Sequence, residues 1–106
     1  MSDFHWSPSE KKLARELFDQ ALSTELAQRL AEFKAKSAAV SSAEEMWSLR
    51  SYLEDSEREI QRKYDYRYSR LLIVFAELLR EGRVTREQLA GLHAEKQAYI
   101  DRIACL

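Results

Sequence analysis

Trp47, Arg50, Ser51, Glu54 and Glu57 are linked by spacings of three and four, with Arg50 and Ser51 adjacent, and Arg58 adjoins the last of them. On a helix that spacing gathers the side chains into one strip. An indole among a guanidinium, a hydroxyl and carboxylates suits a protein–protein contact, with a ring to bury and charges to set the register. The plainer alternative is a solvated helix face with Trp47 packed at a seam between two chains. Tyr64, Tyr66 and Tyr68 offer rings that can stack on a ligand or on bases. Tyr64 and Tyr68 read better as the amphipathic edge of a core, hydroxyls outward. Arg58, Arg62, Lys63, Arg67 and Arg70 make a basic stripe, but Glu57, Glu59 and Asp65 interleave with it, as expected of a salt-paired solvated face. His5 and His93 have no carboxylate or histidine four residues away, so neither reads as a metal ligand. The single cysteine, Cys105, excludes an intramolecular disulfide and a cysteine-based zinc site. No set of nucleophile, base and acid stands out. The expectation is a protein that is not an enzyme, with no cofactor and no metal.

Composition narrows the scaffold that must position the strip. At 106 residues the chain is long enough for one domain. Two glycines and one proline are too few for the tight turns of a β-rich fold or for a glycine-rich phosphate loop. A third of the residues are charged, yet the net charge is −1, which is not the basic footprint of a dedicated nucleic-acid binder. The longest apolar run is far short of the roughly 20 residues that cross a bilayer. The start, Met1 to Trp6, has neither the basic nor the apolar region of a signal peptide. These features predict a soluble, cytoplasmic, all-α chain with no membrane and no nucleic-acid partner.

The elements can be placed from their signals. Ser7-Pro8-Ser9-Glu10 opens a first helix through a capping box with proline at the first helical position. Phe4 and Trp6 lie just outside it and are placed to staple back. Apolar positions then run through Leu13, Leu17, Phe18, Ala21, Leu22, Leu26, Leu30 and Phe33, the later ones close to a heptad seam. A loop is expected near Ser37 to Ser42, with continuous helix as the competing reading. Ser42 and Glu45 supply the next capping box. The second helix carries Met46, Leu49, Leu53 and Ile60 on its seam, and no glycine or proline interrupts the chain before Gly82. One long helix over 43–81, bent near Tyr64 to Ser69, is therefore predicted, with Tyr64, Tyr68, Leu72 and Phe75 on one face. Its end, Leu71 to Leu79, is apolar on nearly every side and needs cover all round. Thr85 with Gln88 starts a last helix with an apolar face of Leu89, Leu92, Ala98 or Tyr99, Ile103 and Leu106, and that helix is the expected cover.

Length carries an argument about assembly. A helix of about 30 residues is about 45 Å long, whereas a compact chain of this size has a radius of gyration of about 13 Å. The prediction is one domain, 1–106, with a long antiparallel helical stalk over about 8–65 and a small helical head over about 66–106. The dimer seam is expected to comprise Leu22, Leu26, Leu30, Phe33, Met46, Leu49, Leu53 and Ile60, buried in a two-fold homodimer.

At Trp47-Ser48-Leu49, at Lys63 to Ser69 and at Val74 to Gly82 the chain resembles the fluorescence recovery protein family of cyanobacteria. The likeness extends from Trp6-Ser7 through Leu89, Leu92, Lys96 and Ile100. It implies an all-helical dimer that binds photoactivated orange carotenoid protein, speeds its return to the inactive orange form and so ends quenching of the phycobilisome antenna. It also implies a partner-binding role for Trp47. The family has His-Asp where this chain has Arg50-Ser51, and an arginine where it has Glu57. Arg58 is adjacent, but one residue on a helix turns the side chain by about 100°. The partner is therefore expected to be orange carotenoid protein or another protein client, bound by Trp47, Arg50, Ser51, Glu54, Glu57 and Arg58.

Overall fold

The computed structural model describes residues 4–106. Met1-Ser2-Asp3, the first half of the N-terminal stretch read above for targeting signals, lies outside them. About three quarters of the described residues are helical, and no strand occurs among them. The helices are α1 (Pro8–Ala38), α2 (Ala43–Lys63), α3 (Leu71–Arg80), the single turn α4 (Arg86–Leu89) and α5 (Ala94–Ala104). None is long and apolar enough to cross a membrane. The chain divides into two compact units, one formed by the chain up to Ala21 with Asp65–Leu106, the other by Leu22–Tyr64.

The expected starts and stops are largely present. Ser7 Oγ accepts from the Glu10 amide, and the Glu10 carboxylate accepts from the Ser7 amide, so the capping box closes. Thr85 and Gln88 close theirs in the same way. At α2 only half of the box forms. Ser42 accepts from the Glu45 amide, but the Glu45 carboxylate accepts from Ser41 instead, from both its amide and its hydroxyl. α1 stops at Ala38, and residues 39–42 make the expected loop. Gly82, at φ 75°, ends α3: its amide reaches Leu79 O and the Arg83 amide reaches Leu78 O, the paired bonds of a Schellman stop.

The unit holding α3 is built on that helix's all-round apolar surface. Leu71, Leu72, Val74, Phe75, Ala76 and Leu78 are all buried, and α5 packs along α3. Trp6, Ala14, Leu17, Phe18 and Ala21 from the N-terminal side and Val84, Leu89, Leu92 and Ile100 from the C-terminal side complete the core. A buried ion pair ties the ends of this unit together. Lys96 Nζ stands 3.1 Å from the Glu10 carboxylate and donates to His5 O, while the His93 amide donates to Glu10 at 2.8 Å.

Three expectations need correction. Helix does not run on from α2 to α3, because residues 64–70 leave the helical path. No breaker is present, so the cause is tertiary. The Tyr64 hydroxyl donates to buried Glu25 at 2.7 Å, Tyr66 packs edge-on against Phe18 at 4.8 Å, and Tyr68 lies 5.4 Å from Trp6. These contacts replace the few intrahelical hydrogen bonds given up. Tyr64 and Tyr68 therefore do not share a helical face with Leu72 and Phe75, and the Tyr64 hydroxyl points inward. The last helix is likewise two pieces, parted at Gly91, where a Cβ would lie 2.7 Å from Leu13 Cδ2. On α5 the buried positions are Lys96 and Ile100, whereas Ala98 is exposed, as is Leu106 beyond the helix end.

Candidate functional site

The predicted strip lies in the other unit, on a helical hairpin of α1 residues 22–38 and α2. Contacts between Glu25 and Lys63, Arg29 and Glu59, and Glu32 and Tyr52 run in opposite sequence directions, so the two helices are antiparallel. Tyr52, Ser56, Glu59 and Lys63 face α1, and at about 100° per residue Trp47, Ser51, Glu54 and Arg58 point to the opposite side. Arg50 and Glu57 flank that row toward Met46, Leu53 and Ile60.

All six strip residues are exposed, and Trp47 retains 59% of its surface. Arg58 pairs with Asp55 at 2.5 Å, both side chains more than 70% exposed, a contact of little energetic weight. Glu57 lines an open groove of about 370 Å³ with Leu26, Leu53 and Ile60. The strip and the predicted seam thus adjoin at Glu57. Of the seam residues, Leu26, Leu30, Met46 and Leu53 are 43–53% exposed, and Leu22, Phe33, Leu49 and Ile60 are half-buried.

What fixes α2, and so aims the strip, is a polar cluster that the periodicity argument overlooked. Glu25 is 1% exposed and receives hydrogen bonds from Lys63 Nζ, the Tyr64 hydroxyl and Arg29. Arg29 also reaches Glu59 and Ser56 Oγ. Burial alone would raise the Glu25 carboxyl, but the bonds from Lys63, Tyr64 and Arg29 outweigh it and hold the pKa at about 2. Arg29 is pushed up, its pairing with Glu59 and Glu25 outweighing burial. The sequence did hold a signal: Glu25 interrupts an apolar seam between Leu22 and Leu26, with Arg29 four residues on.

The basic stripe is not one surface. Lys63 is buried against Glu25, whereas Arg67 pairs outward with Asp65. His5 and His93 are exposed and Cys105 caps α5 in solvent. Among the described residues no cluster of histidine, cysteine or carboxylates is placed to hold a metal ion. The arrangement offers an exposed indole, flanking charges and an uncovered apolar seam on one helical hairpin, which is suited to binding another protein.

Residues 6–104 match the family described as "Photoprotection regulator fluorescence recovery protein". The fluorescence recovery protein of Synechocystis sp. (strain ATCC 27184 / PCC 6803 / Kazusa) is 39% identical over 101 residues, spanning 95% of this chain and 93% of that protein. The solved structure of the Fremyella diplosiphon fluorescence recovery protein superposes with a TM-score of 0.91 at 30% identity. That from Synechocystis sp PCC 6803 does so with 0.91 at 38%, and each comparison covers 96% of this chain and 100% of the other.

Proposed function

This chain belongs to the fluorescence recovery protein family, a family of photoprotection regulators, and on that premise we propose that it binds photoactivated orange carotenoid protein and accelerates its return to the orange state, ending phycobilisome quenching. The supporting observation is the match across residues 6–104 combined with Trp47, at the position the resemblance assigns to partner contact, standing 59% exposed on a braced helix. Such a regulator acts in the cytoplasm without catalytic chemistry. It can shift its client only by binding the red form, or the path back to orange, better than the orange form. The test is to mix the protein with photoactivated orange carotenoid protein and follow the orange absorbance. Recovery should quicken, and Trp47→Ala should reduce the acceleration by about tenfold or more, as for a buried aromatic anchor. No acceleration at excess protein would refute the assignment.

Ser51 and Glu57 favour a second reading, an adaptor of the same fold for a different protein client, because beside the residues the resemblance implies, Ser51 removes a negative charge and Glu57 replaces a positive one with a negative. Affinity capture from the source organism, returning a client other than a carotenoid protein, would decide for it.

The working form is a homodimer closed over the apolar seam. Five of the seven large apolar residues that stand exposed among the described residues lie on this one hairpin, so the surface needing cover is concentrated there. Light scattering at micromolar concentration should give twice the single-chain mass. Leu26→Glu with Leu53→Glu should give the single-chain mass, since it sets unpaired carboxylates in the seam. A wild-type monomer would overturn the assembly.

A further inference from the structure

In the unit formed by the chain up to Ala21 and Asp65–Leu106, four aromatic rings stand in file. Trp6 and Tyr68 are 5.4 Å apart, Tyr68 and Tyr66 5.9 Å, and Tyr66 and Phe18 4.8 Å. The ends of the file are buried, but Tyr68 in the middle keeps 42% of its surface. Two cations one turn apart on α1 stand over the open part: Lys11 Nζ is 5.4 Å from the Tyr68 centroid, and Arg15 Cζ is 4.1 Å from that of Tyr66. The ring faces hold these cations without neutralising them. Arg15 meets Asp19 only through a pair more than half exposed on both sides, and among the described residues no carboxylate pairs with Lys11. Arg67, between the two tyrosines in sequence, is already held by Asp65 through two hydrogen bonds. The chain leaves the helical path over residues 64–70 to hold these rings here.

We propose that this ring file with Lys11 and Arg15 is a docking surface for an acidic segment of a protein partner, carboxylates meeting the two cations and an apolar side chain lying on Tyr68. The proposal rests on the reading of the chain as a protein-binding regulator and adds the chemistry of a second contact, carried by residues other than the Trp47 strip. Charge decides against a nucleic acid. Glu16, Asp19 and Asp65 interrupt the cations, whereas tracking phosphates takes a continuous row of them and a side-chain carboxylate takes one. A short acidic segment needs only Lys11 and Arg15.

The test uses the full chain in low salt, titrated with a labelled hexaglutamate peptide bearing one central phenylalanine and, in parallel, with a labelled single-stranded oligonucleotide. Backbone NMR shifts confined to Lys11, Arg15, Tyr66 and Tyr68, and anisotropy that rises for the peptide but not the oligonucleotide, are the expected result. Lys11→Glu should weaken peptide binding about tenfold by placing like charges together, and Lys11→Arg should keep it. Both changes are on an exposed helix position, so circular dichroism should be unaltered. No shift at these residues, unchanged binding by Lys11→Glu, or equal binding of the oligonucleotide overturns the proposal. Absent orange recovery with intact peptide binding would count against the carotenoid client alone. Normal recovery without peptide binding would count against this surface alone.

Discussion

Replacing Lys63 by methionine should cost about 3–5 kcal/mol of stability at fixed chain concentration, the usual loss when one partner of a buried ion pair is removed. The Glu25 carboxylate is 1% exposed and would lose its ammonium partner while keeping Arg29 and the Tyr64 hydroxyl. The penalty is the desolvation of a charge whose compensation has been cut back, not the value of the contact itself. Combining Lys63→Met with Glu25→Leu should therefore restore much of the loss, because an apolar pair of similar volume removes the need for compensation. Arg29 keeps Glu59 and Ser56 in that double variant. Urea unfolding of the wild type, both single variants and the double variant measures the coupling. A Lys63→Met midpoint equal to that of the wild type would show that the cluster does not hold α2 in place. If it does hold α2, the same variant should weaken the proposed acceleration of orange recovery, because the proposed contact strip from Trp47 to Arg58 rides on that helix.

Acid should unfold the protein from two places at once. Glu10 and Glu25 are both held at about 2, below an ordinary value of 4.5. For Glu10, burial pushes upward, and the amides of Ser7 and His93 with the Lys96 ammonium pull further down. A folded-state pKa below the unfolded one means that stability is fully present above about 4.5 and is lost as pH falls through the range toward 2. Each carboxylate contributes on the order of 3 kcal/mol by that shift, which together is a large share of the stability of a small protein. The thermal midpoint should be flat from pH 7 to 5 and fall steeply below. Glu10→Gln should lower it at neutral pH and make the acid limb shallower. A midpoint unchanged between pH 5 and 3 would contradict this account.

The chain's own residues determined its helical class and most of its boundaries. Ser7 with Glu10, Thr85 with Gln88, and Gly82 are local devices, each satisfying backbone groups within a few residues, so their geometry follows from spacing alone. The apolar girth of Leu71 to Leu79 likewise showed that α3 must be enclosed. The strip from Trp47 to Arg58 could be placed on one face because a helix repeats every 3.6 residues whatever it packs against.

Tertiary structure decided where helix gives way. Residues 64–70 are locally fit for helix, and contacts with Glu25, Phe18 and Trp6, some 40 to 60 residues away in sequence, set their path instead. It also turned Lys63 from a member of a surface stripe into a buried partner of Glu25, and drew Lys96 onto Glu10. Periodicity cannot reveal such pairs. A charge in a sequence is presumed solvated until a complementary charge from a distant segment lowers the cost of burying it, and only the folded chain shows which segment that is.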